Sequence, residues 1–225
     1  LDTFAKSPTG GPPTIDPQQA RILQAVADHD RVAIRTGRGV GKTASAIRAS
    51  DYENLDLLPA NLTYRDFDIF LSQMKNKRSR LKKVLKAVNN DYQVVILDCP
   101  PNISLLSENI FKAADMVVVP VIPTTLSVRT LQQLYQFFRD NDYKEKKILP
   151  FFSMVQQSKN LHRETMVALQ KEYKSLLKSY IPFSTDVEKM GVHRAPVLTF
   201  ASKDLASVAY LKIWNDIEKG LKIKG

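Results

Sequence analysis

The sequence predicts an α/β protein with a doubly wound, mostly parallel sheet and helices on both faces. Short, continuously apolar segments recur along the chain, which is typical of strands that are buried on both faces of a parallel sheet. Longer segments with helical periodicity separate them. This alternation of strand and helix favours parallel strands that are joined by helical crossovers, with ligands bound at the carboxyl ends of the strands.

Length and charge narrow the class of protein. The chain has 225 residues, which suits one sizeable domain. We predict a flexible arm over residues 1–14 and a single domain over residues 15–225.

The net charge of +10 favours a polyanionic partner, either nucleic acid or an acidic membrane surface. The single cysteine excludes an internal disulfide, and neither a signal segment nor an apolar run of about 20 residues is evident, so a cytoplasmic protein with no membrane partner is expected.

The elements follow in chain order. Asp16-Pro17 is typical of a helix start and opens a helix through residue 28. Residues 31–35 form the first strand, and a helix begins within residues 42–50. Further strands are predicted at residues 55–60, 93–98, 116–122, 147–155 and 180–184. Further helices are predicted at residues 65–74, 79–89, 103–113, 127–140, 161–178 and 204–219.

A phosphate-binding loop of unusual composition follows the first strand. The P-loop pattern is G-x-x-x-x-G-K-[ST]; its end is present as Gly41-Lys42-Thr43, but Thr36 replaces the first glycine. Lys42 would neutralise the β- and γ-phosphates, and the Thr43 hydroxyl would hold Mg²⁺. The strand before the loop and the helix after it are the context that a P-loop requires. The sequence therefore predicts a P-loop NTPase that binds ATP and Mg²⁺ through Gly37, Arg38, Gly39, Val40, Gly41, Lys42, Thr43 and Ala44.

Asp98 is the second candidate in this site. It ends the apolar segment "VVILD", and a carboxylate at that place can hold Mg²⁺ through water, as the Walker B aspartate does. We predict Lys42 and Asp98 as catalytic residues, and Thr43 and Asp98 as metal ligands. The alternative is an aspartate that only caps the next turn.

From residue 52 to its end the chain resembles the ParA/Soj partition ATPases of the MinD/ParA group. The stretches that match are "NLDLLPANL", "YQVVILDCPPNISLLSENIFKAADMVVVPVIPTTLSVRTLQQL" and "IPFSTDVEKMGVHRAPVLTF". The resemblance implies plasmid or chromosome partition, an ATP-dependent homodimer, a centromere-binding partner protein and non-specific binding of double-stranded DNA. It also implies a basic DNA-binding surface after "IPFS". The first candidates for that surface are Lys189, Arg194 and Lys203, and the next are Lys159 and Arg163.

The chain departs from this group at two places. The group's loop reads K-G-G-V-G-K-T, and its first lysine reaches the partner's nucleotide; here Gly37 stands at that position, with Arg38 displaced by one. The group also has an acidic strand after the first helix, which has no counterpart here. We therefore expect poor ATP-driven dimerisation and weak or absent hydrolysis. Asp51 and Asp56 are the alternative carboxylates.

Residues 15–48 instead resemble the ATPase segment of phage terminase large subunits, in which upstream glutamines lie near the adenine. By that resemblance Gln19 is a candidate nucleotide contact. The two resemblances predict a seam near residues 50–51, from a natural fusion, an engineered chimera or a rearranged reading frame. Two other functions stay open: a DNA-packaging ATPase, and a non-catalytic DNA-binding module with a degenerate nucleotide site. Against the packaging motor, Asp98 is followed by Cys-Pro and not by a glutamate base.

Three remaining features have ordinary structural explanations. Cys99 is predicted to be a small buried residue without an activated thiol. The stretch "KNKRSRLKK" (75–83) favours a solvated helix face over a binding stripe. The apolar positions of residues 210–221 favour packing against the core over lying on a membrane.

Overall fold

The computed structural model describes residues 32–36, 48–49, 54–58, 71–73, 75–86, 88, 90–99 and 103–222. These residues form two compact parts, which we call the N-terminal unit (described residues up to 114) and the C-terminal unit (115–222). Each unit contains parallel strands with helices between them, so the predicted α/β fold class is confirmed. The single domain over residues 15–225 stays a prediction. The arm over residues 1–14 and the first predicted helix lie outside the described residues.

The N-terminal unit contains a four-stranded sheet in the order β2-β3-β1-β4. Its strands are β1 (Val32–Thr36), β2 (Arg48–Ala49), β3 (Leu55–Leu58) and β4 (Val94–Asp98). Strand β1 is central and pairs in parallel with both β3 and β4. Strand β2 runs antiparallel to β3, so ladder hydrogen bonds pair the backbone of Arg48 and Ala49 there. The helix predicted to start within residues 42–50 is therefore wrong at residues 48–49, and residues 42–47 lie outside the described residues.

In the described part of this unit the helices with given bounds are α1 (Arg80–Leu85) and α2 (Leu105–Ala113). Leu71 and Ser72 are also helical, and most of the predicted helix over residues 65–74 lies outside the described residues. Helices α1 and α2 pack through a small apolar cluster in which Leu71, Leu81, Leu106 and Ile110 are buried. Helix α1 is shorter than the predicted helix over residues 79–89. Residues 75–78 form turns, so the stretch 75–83 is a solvated helix face only in its second half.

The C-terminal unit contains three parallel strands in the order β5-β6-β7. These are β5 (Val117–Val121), β6 (Ile148–Val155) and β7 (Tyr180–Pro182). The longer helices are α3 (Thr125–Asp140), α4 (Asn160–Glu172) and, at the end of the unit, α8 (Leu205–Leu221). Three four-residue helices follow β7, namely α5 (Thr185–Glu188), α6 (Met190–His193) and α7 (Val197–Phe200). Sequence periodicity missed these three because each is about one turn long.

Helix α4 ends six residues before the predicted helix over 161–178 does. Tertiary contacts explain this difference. The Tyr173 ring packs on the Tyr135 ring at 4.6 Å, and the backbone N–H of Leu177 donates to the Pro150 carbonyl at 2.9 Å. These contacts draw the chain toward the sheet and compensate for the helical hydrogen bonds that are not made.

Helix α8 packs its apolar side into the core of the C-terminal unit. Its residue Ile213 belongs to a buried cluster with Phe151 of β6 and Ile181 of β7. Trp214 is also buried. Asp204 starts the helix by accepting a hydrogen bond from the Ala206 backbone N–H at 2.9 Å. The prediction of core packing is confirmed for this helix. None of the helices in the described ranges is long and apolar enough to cross a membrane.

His162 is a buried histidine in the first turn of α4. Only 3% of its surface is exposed, and its Nδ1 accepts a hydrogen bond from the backbone N–H of Gln156 at 3.2 Å. Burial, and secondarily the positive charge of Lys159, lower the pKa of His162 below its ordinary value. Protonation of Nδ1 would break the hydrogen bond, so the folded state favours the neutral ring.

We expect the free energy of unfolding of the C-terminal unit to fall as the pH falls below about 6.5, the ordinary pKa of histidine. The unfolded chain takes up a proton there, whereas the folded chain does not until its lower pKa is reached. Urea unfolding followed by the fluorescence of Trp214, the only tryptophan, at about pH 7.5 and about pH 5.5 measures this loss. His162→Phe should show a smaller loss, and His193→Gln, at an exposed position, should behave as wild type. An unchanged loss in His162→Phe would contradict this explanation.

Candidate functional site

The carboxyl ends of β1 and β4 lie side by side in the N-terminal unit. The parallel register pairs Val32 with Val94 at one end and Thr36 with Asp98 at the other. Neighbouring strands are about 5 Å apart. Thr36 is the residue directly before the predicted phosphate loop, so Asp98 lies across from the point where that loop begins.

The burial pattern of β4 explains why its carboxylate lies at the exposed end of the strand. Val94 is buried, the next three residues are partly buried, and Asp98 is exposed. The apolar residues therefore anchor the strand while the last residue reaches water. Such a carboxylate can accept hydrogen bonds from the waters of a bound Mg²⁺, which usually combines one or two carboxylates with substrate phosphates. Within the described residues, no group of three or more His, Cys, Asp or Glu side chains could hold a metal ion.

The remaining nucleotide-binding candidates lie outside the described residues. They are Gln19, Gly37, Arg38, Gly39, Val40, Gly41, Lys42, Thr43 and Ala44. Their roles stay predictions that rest on the sequence motif. What the structure adds is the strand that leads into the loop and the carboxylate across from that strand's end.

Asp56 lies too far from this edge to replace the missing acidic strand. It pairs with Ala33 of β1, which is three residues before Thr36 and hence about 10 Å from the carboxyl end. Its Oδ2 accepts a hydrogen bond from the Tyr92 hydroxyl at 2.7 Å. Asp56 therefore holds neighbouring parts of the unit together. Asp51, the other alternative carboxylate, lies outside the described residues.

Cys99 is exposed, which corrects the prediction of a buried residue. It follows the last residue of β4, where the chain leaves the sheet, and its Sγ donates to the Leu97 carbonyl at 3.2 Å. Although the residue is exposed, shielding of the sulfur from water and the adjacent Asp98 carboxylate raise the pKa of the thiol to about 12. The reactive thiolate is therefore scarce at neutral pH, and the prediction of an unactivated thiol agrees with this environment.

The five candidate DNA-binding residues are all exposed and lie in the C-terminal unit. Lys159 and Arg163 follow β6, and the other three follow β7 in chain order. Because β6 and β7 are parallel neighbours, the connections that leave their carboxyl ends start from the same edge of the sheet. The Arg163 guanidinium donates to the Gln157 carbonyl at 2.7 Å and to the Asn160 side chain, which orders it beside Lys159.

The cations after β7 differ in their freedom to bind phosphate. The Lys189 ammonium forms an ion pair with Asp186 at 2.8 Å. Arg194 ends α6 in the left-handed conformation, with φ of 48°, and Lys203 lies in the turn before α8. The stretch 183–205 also contains as many acidic residues as basic ones. Arg194 and Lys203 are therefore the stronger candidates, and Lys189 is the weaker one.

Comparison with known proteins indicates the relatives of this chain. The family model described as an AAA domain matches residues 15–151. Over 178 residues the chain is 27% identical to the sporulation initiation inhibitor protein Soj of Bacillus subtilis, covering 76% of this chain and 70% of Soj. Over 138 residues it is 33% identical to the cell division protein PomZ of Myxococcus xanthus, covering 60% of this chain and 43% of PomZ.

Two solved structures share the fold. Cobyrinic acid a,c-diamide synthase from Mycobacterium smegmatis, with bound ADP and magnesium, superposes with a TM-score of 0.72 at 20% identity, covering 90% of this chain and 88% of that one. A putative plasmid partition protein from Borrelia burgdorferi, bound to AMPPNP, gives 0.70 at 18% identity, covering 90% and 91%. At these identities the likeness establishes the fold, which is shared by proteins of different functions.

The family match bears on the predicted seam near residues 50–51. It runs without interruption from residue 15 to residue 151 and so includes both the segment 15–48 and the start of the ParA-like part. The terminase-like origin of residues 15–48 is therefore not supported. The resemblance to the ParA/Soj group agrees with the family match and with the relatives described above.

Proposed function

Because the chain belongs to the AAA domain family, whose model spans residues 15–151, we propose that it is a ParA/MinD-type P-loop ATPase. In this proposal it binds ATP with Mg²⁺, hydrolyses it weakly or not at all, and acts in plasmid or chromosome partition through non-specific DNA binding. The observation that carries the nucleotide site is the pairing of Thr36 with Asp98. It brings the end of the predicted Walker B strand to the start of the predicted phosphate loop.

The roles in this site follow from charge and position. Lys42 neutralises the β- and γ-phosphates, Thr43 ligates Mg²⁺, and Asp98 holds the metal's water molecules. ATP and Mg²⁺ are favoured as ligands because proteins of the same fold were solved with ADP and magnesium and with AMPPNP. Gly37 has no side chain to reach a second nucleotide, so dimerisation with ATP is proposed to be poor. A centromere-binding partner protein is part of the proposal only because the resemblance to the ParA/Soj group implies one.

The other two functions are weighed against this one. A DNA-packaging motor loses its main support with the unbroken family match across residues 50–51. A non-catalytic module with a degenerate nucleotide site has one observation in its favour, the position of Asp56 away from the carboxyl edge of the sheet. That alternative keeps the fold but has lost turnover. Calorimetric titration of the wild type with ATP–Mg²⁺ tests whether its nucleotide site still binds, and a phosphate-release assay tests whether it turns over.

The proposed DNA-binding surface is the edge of the C-terminal unit where β6 and β7 end. We expect the double variant Arg194→Gln with Lys203→Gln to make the negative slope of log affinity against log salt concentration shallower by about two, because each lost phosphate contact changes it by about one. Fluorescence anisotropy with two unrelated duplexes across a salt series measures both slope and sequence preference. Lys189→Gln should change the slope less, because Asp186 already offsets that charge.

The matched control is Lys144→Gln with Lys146→Gln, which removes two exposed charges from another part of the same unit. This control should keep the wild-type slope. If both double variants lowered the slope equally, net charge alone would explain binding. A strong preference for one of the duplexes would contradict non-specific binding.

A further inference from the structure

The stretch from residue 75 to residue 86 is the most basic part of the chain outside the proposed DNA-binding edge. It carries seven Lys and Arg residues and no Asp or Glu. By contrast, the stretch 183–205 in the C-terminal unit has equal numbers of acidic and basic residues. The first half of the basic stretch forms turns and the second half forms α1, so its charges do not lie along one helix face.

The turns of this stretch form one wall of a cleft in the N-terminal unit. The cleft has a volume of about 390 Å³, and its lining is polar. Three cations, two hydroxyls and one amide line it; these are Lys77, Arg78, Lys112, Ser72, Ser79 and Asn76. Lys112 comes from the last turn of α2, so cations from two separate elements face the same small volume.

A buried amide fixes the geometry of the cleft. Asn109 of α2 is fully buried, and its Nδ2 donates to the carbonyls of Lys77 at 2.7 Å and of Leu105 at 2.9 Å. Its Oδ1 accepts from the backbone N–H of Leu81 at 3.3 Å. These bonds tie the basic turn to the helix that carries Lys112. The backbone of the basic turn is therefore held against α2 before any ligand arrives, which lowers the backbone part of the entropic cost of binding.

The charges in the cleft are only partly compensated. Arg78 forms an ion pair with Glu108, Nε to Oε2 at 2.6 Å, and Glu108 is largely shielded from water. Neither the Lys77 ammonium nor that of Lys112 has an ion pair within the described part of the chain. The remaining excess of positive charge attracts an anion, and the Glu108 carboxylate holds the guanidinium in place at the rim.

We propose that this cleft seats a backbone phosphate of double-stranded DNA, as a contact surface of the N-terminal unit distinct from the one after β6 and β7. Phosphate oxygens are bound in DNA complexes by Lys and Arg together with Ser and Asn side chains. Residues of these types line the cleft, and the Ser79 hydroxyl in addition donates to the Asn76 carbonyl at 3.3 Å. The rest of the basic stretch favours the regularly charged backbone over an isolated anion. The inference rests on the proposed DNA binding and adds a second site to it.

The test is the salt dependence of binding to a fluorescein-labelled duplex of mixed sequence. Lys77→Gln with Lys112→Gln removes the two unpaired cations of the cleft. We expect the negative slope of log affinity against log salt concentration to become shallower by about two. The matched control, Lys82→Gln with Lys83→Gln, removes two exposed charges of the same stretch that do not line the cleft and should change the slope less than the cleft variant does. Circular dichroism checks that both variants are folded.

Each of the following outcomes would contradict the proposed phosphate site in the cleft. An unchanged slope in the cleft variant, together with a lower slope in Arg194→Gln with Lys203→Gln, would leave the proposed function standing without this site. Equal losses in the cleft variant and its control would show that the stretch acts by net charge alone. Labelled poly-glutamate that binds through Lys77 and Lys112, while the duplex does not, would assign the cleft to an acidic protein segment. If the wild-type protein bound no duplex at low salt, both proposed DNA sites would be wrong. Titration with ATP would then test the nucleotide site independently of DNA binding.

Discussion

Lys42→Ala is expected to abolish ATP–Mg²⁺ binding or to weaken it strongly. The β- and γ-phosphates bring several negative charges to a loop in which Lys42 is the one lysine of the motif. Without that ammonium group, the backbone N–H groups and the metal are left to compensate the charge alone. Isothermal titration calorimetry of the wild type and the variant measures the difference directly.

Two further variants separate the phosphate clamp from general effects of charge. Lys82→Ala removes one exposed positive charge from α1 and should titrate as wild type. Asp98→Asn should reduce the part of the affinity that depends on Mg²⁺ and leave titrations in EDTA unchanged, because Asp98 acts on the metal's waters. Equal ATP affinity in Lys42→Ala and wild type would overturn the P-loop assignment.

ATP turnover by the wild-type protein is expected to lie below about one per second, under the usual range for enzymes. Phosphoryl transfer depends on positioning and charge stabilisation, so loss of the residue that orients the attacking water costs orders of magnitude in rate. The acidic strand that the ParA-like group uses has no counterpart here. Asp56 does not supply one, since it bonds to Tyr92 and pairs three residues before the end of β1. A phosphate-release assay gives the rate.

The variant Asp56→Asn tests the structural part of this argument. It should leave the turnover at the wild-type value, while Lys42→Ala defines the background without bound nucleotide. A wild-type rate of about one per second or faster would contradict weak hydrolysis. If Asp56→Asn then removed that activity, the carboxylate would reach the nucleotide after all, and the position given by the β1–β3 register would not be the active one.

Local sequence predicted most of the sheet correctly. Strand β4 spans Val94–Asp98, which agrees with the strand predicted over residues 93–98. The prediction succeeds because a continuous apolar run indicates a buried strand, and the charged residue at its end indicates where the strand reaches water. Helix α8 was likewise predicted within two residues at either end, since its apolar residues recur at helical spacing and Asp204 caps it. The P-loop motif and the basic candidates rest on residue type alone, and their roles stay predictions.

Other features depend on partners that are distant in sequence. Nothing in the local pattern shows that Arg48 and Ala49 are extended, because the cause is their pairing with β3. The end of α4 at Glu172 is set by contacts of Tyr173 with Tyr135 and of Leu177 with Pro150. Propensity describes a residue's preference in isolation, and such contacts are strong enough to override it.

The α/β class, the longer strands and helices, the family resemblance and the residue types of the proposed nucleotide site can all be deduced from the sequence. Which residues meet depends on the folded structure. It placed Asp98 across from Thr36, removed Asp56 from the carboxyl edge, and brought Lys112 to the cleft formed by Lys77 and its neighbours. Periodicity and motifs record interactions between residues close in sequence. Strand register and the burial of a single amide such as Asn109 are instead fixed by packing between segments more than about twenty residues apart.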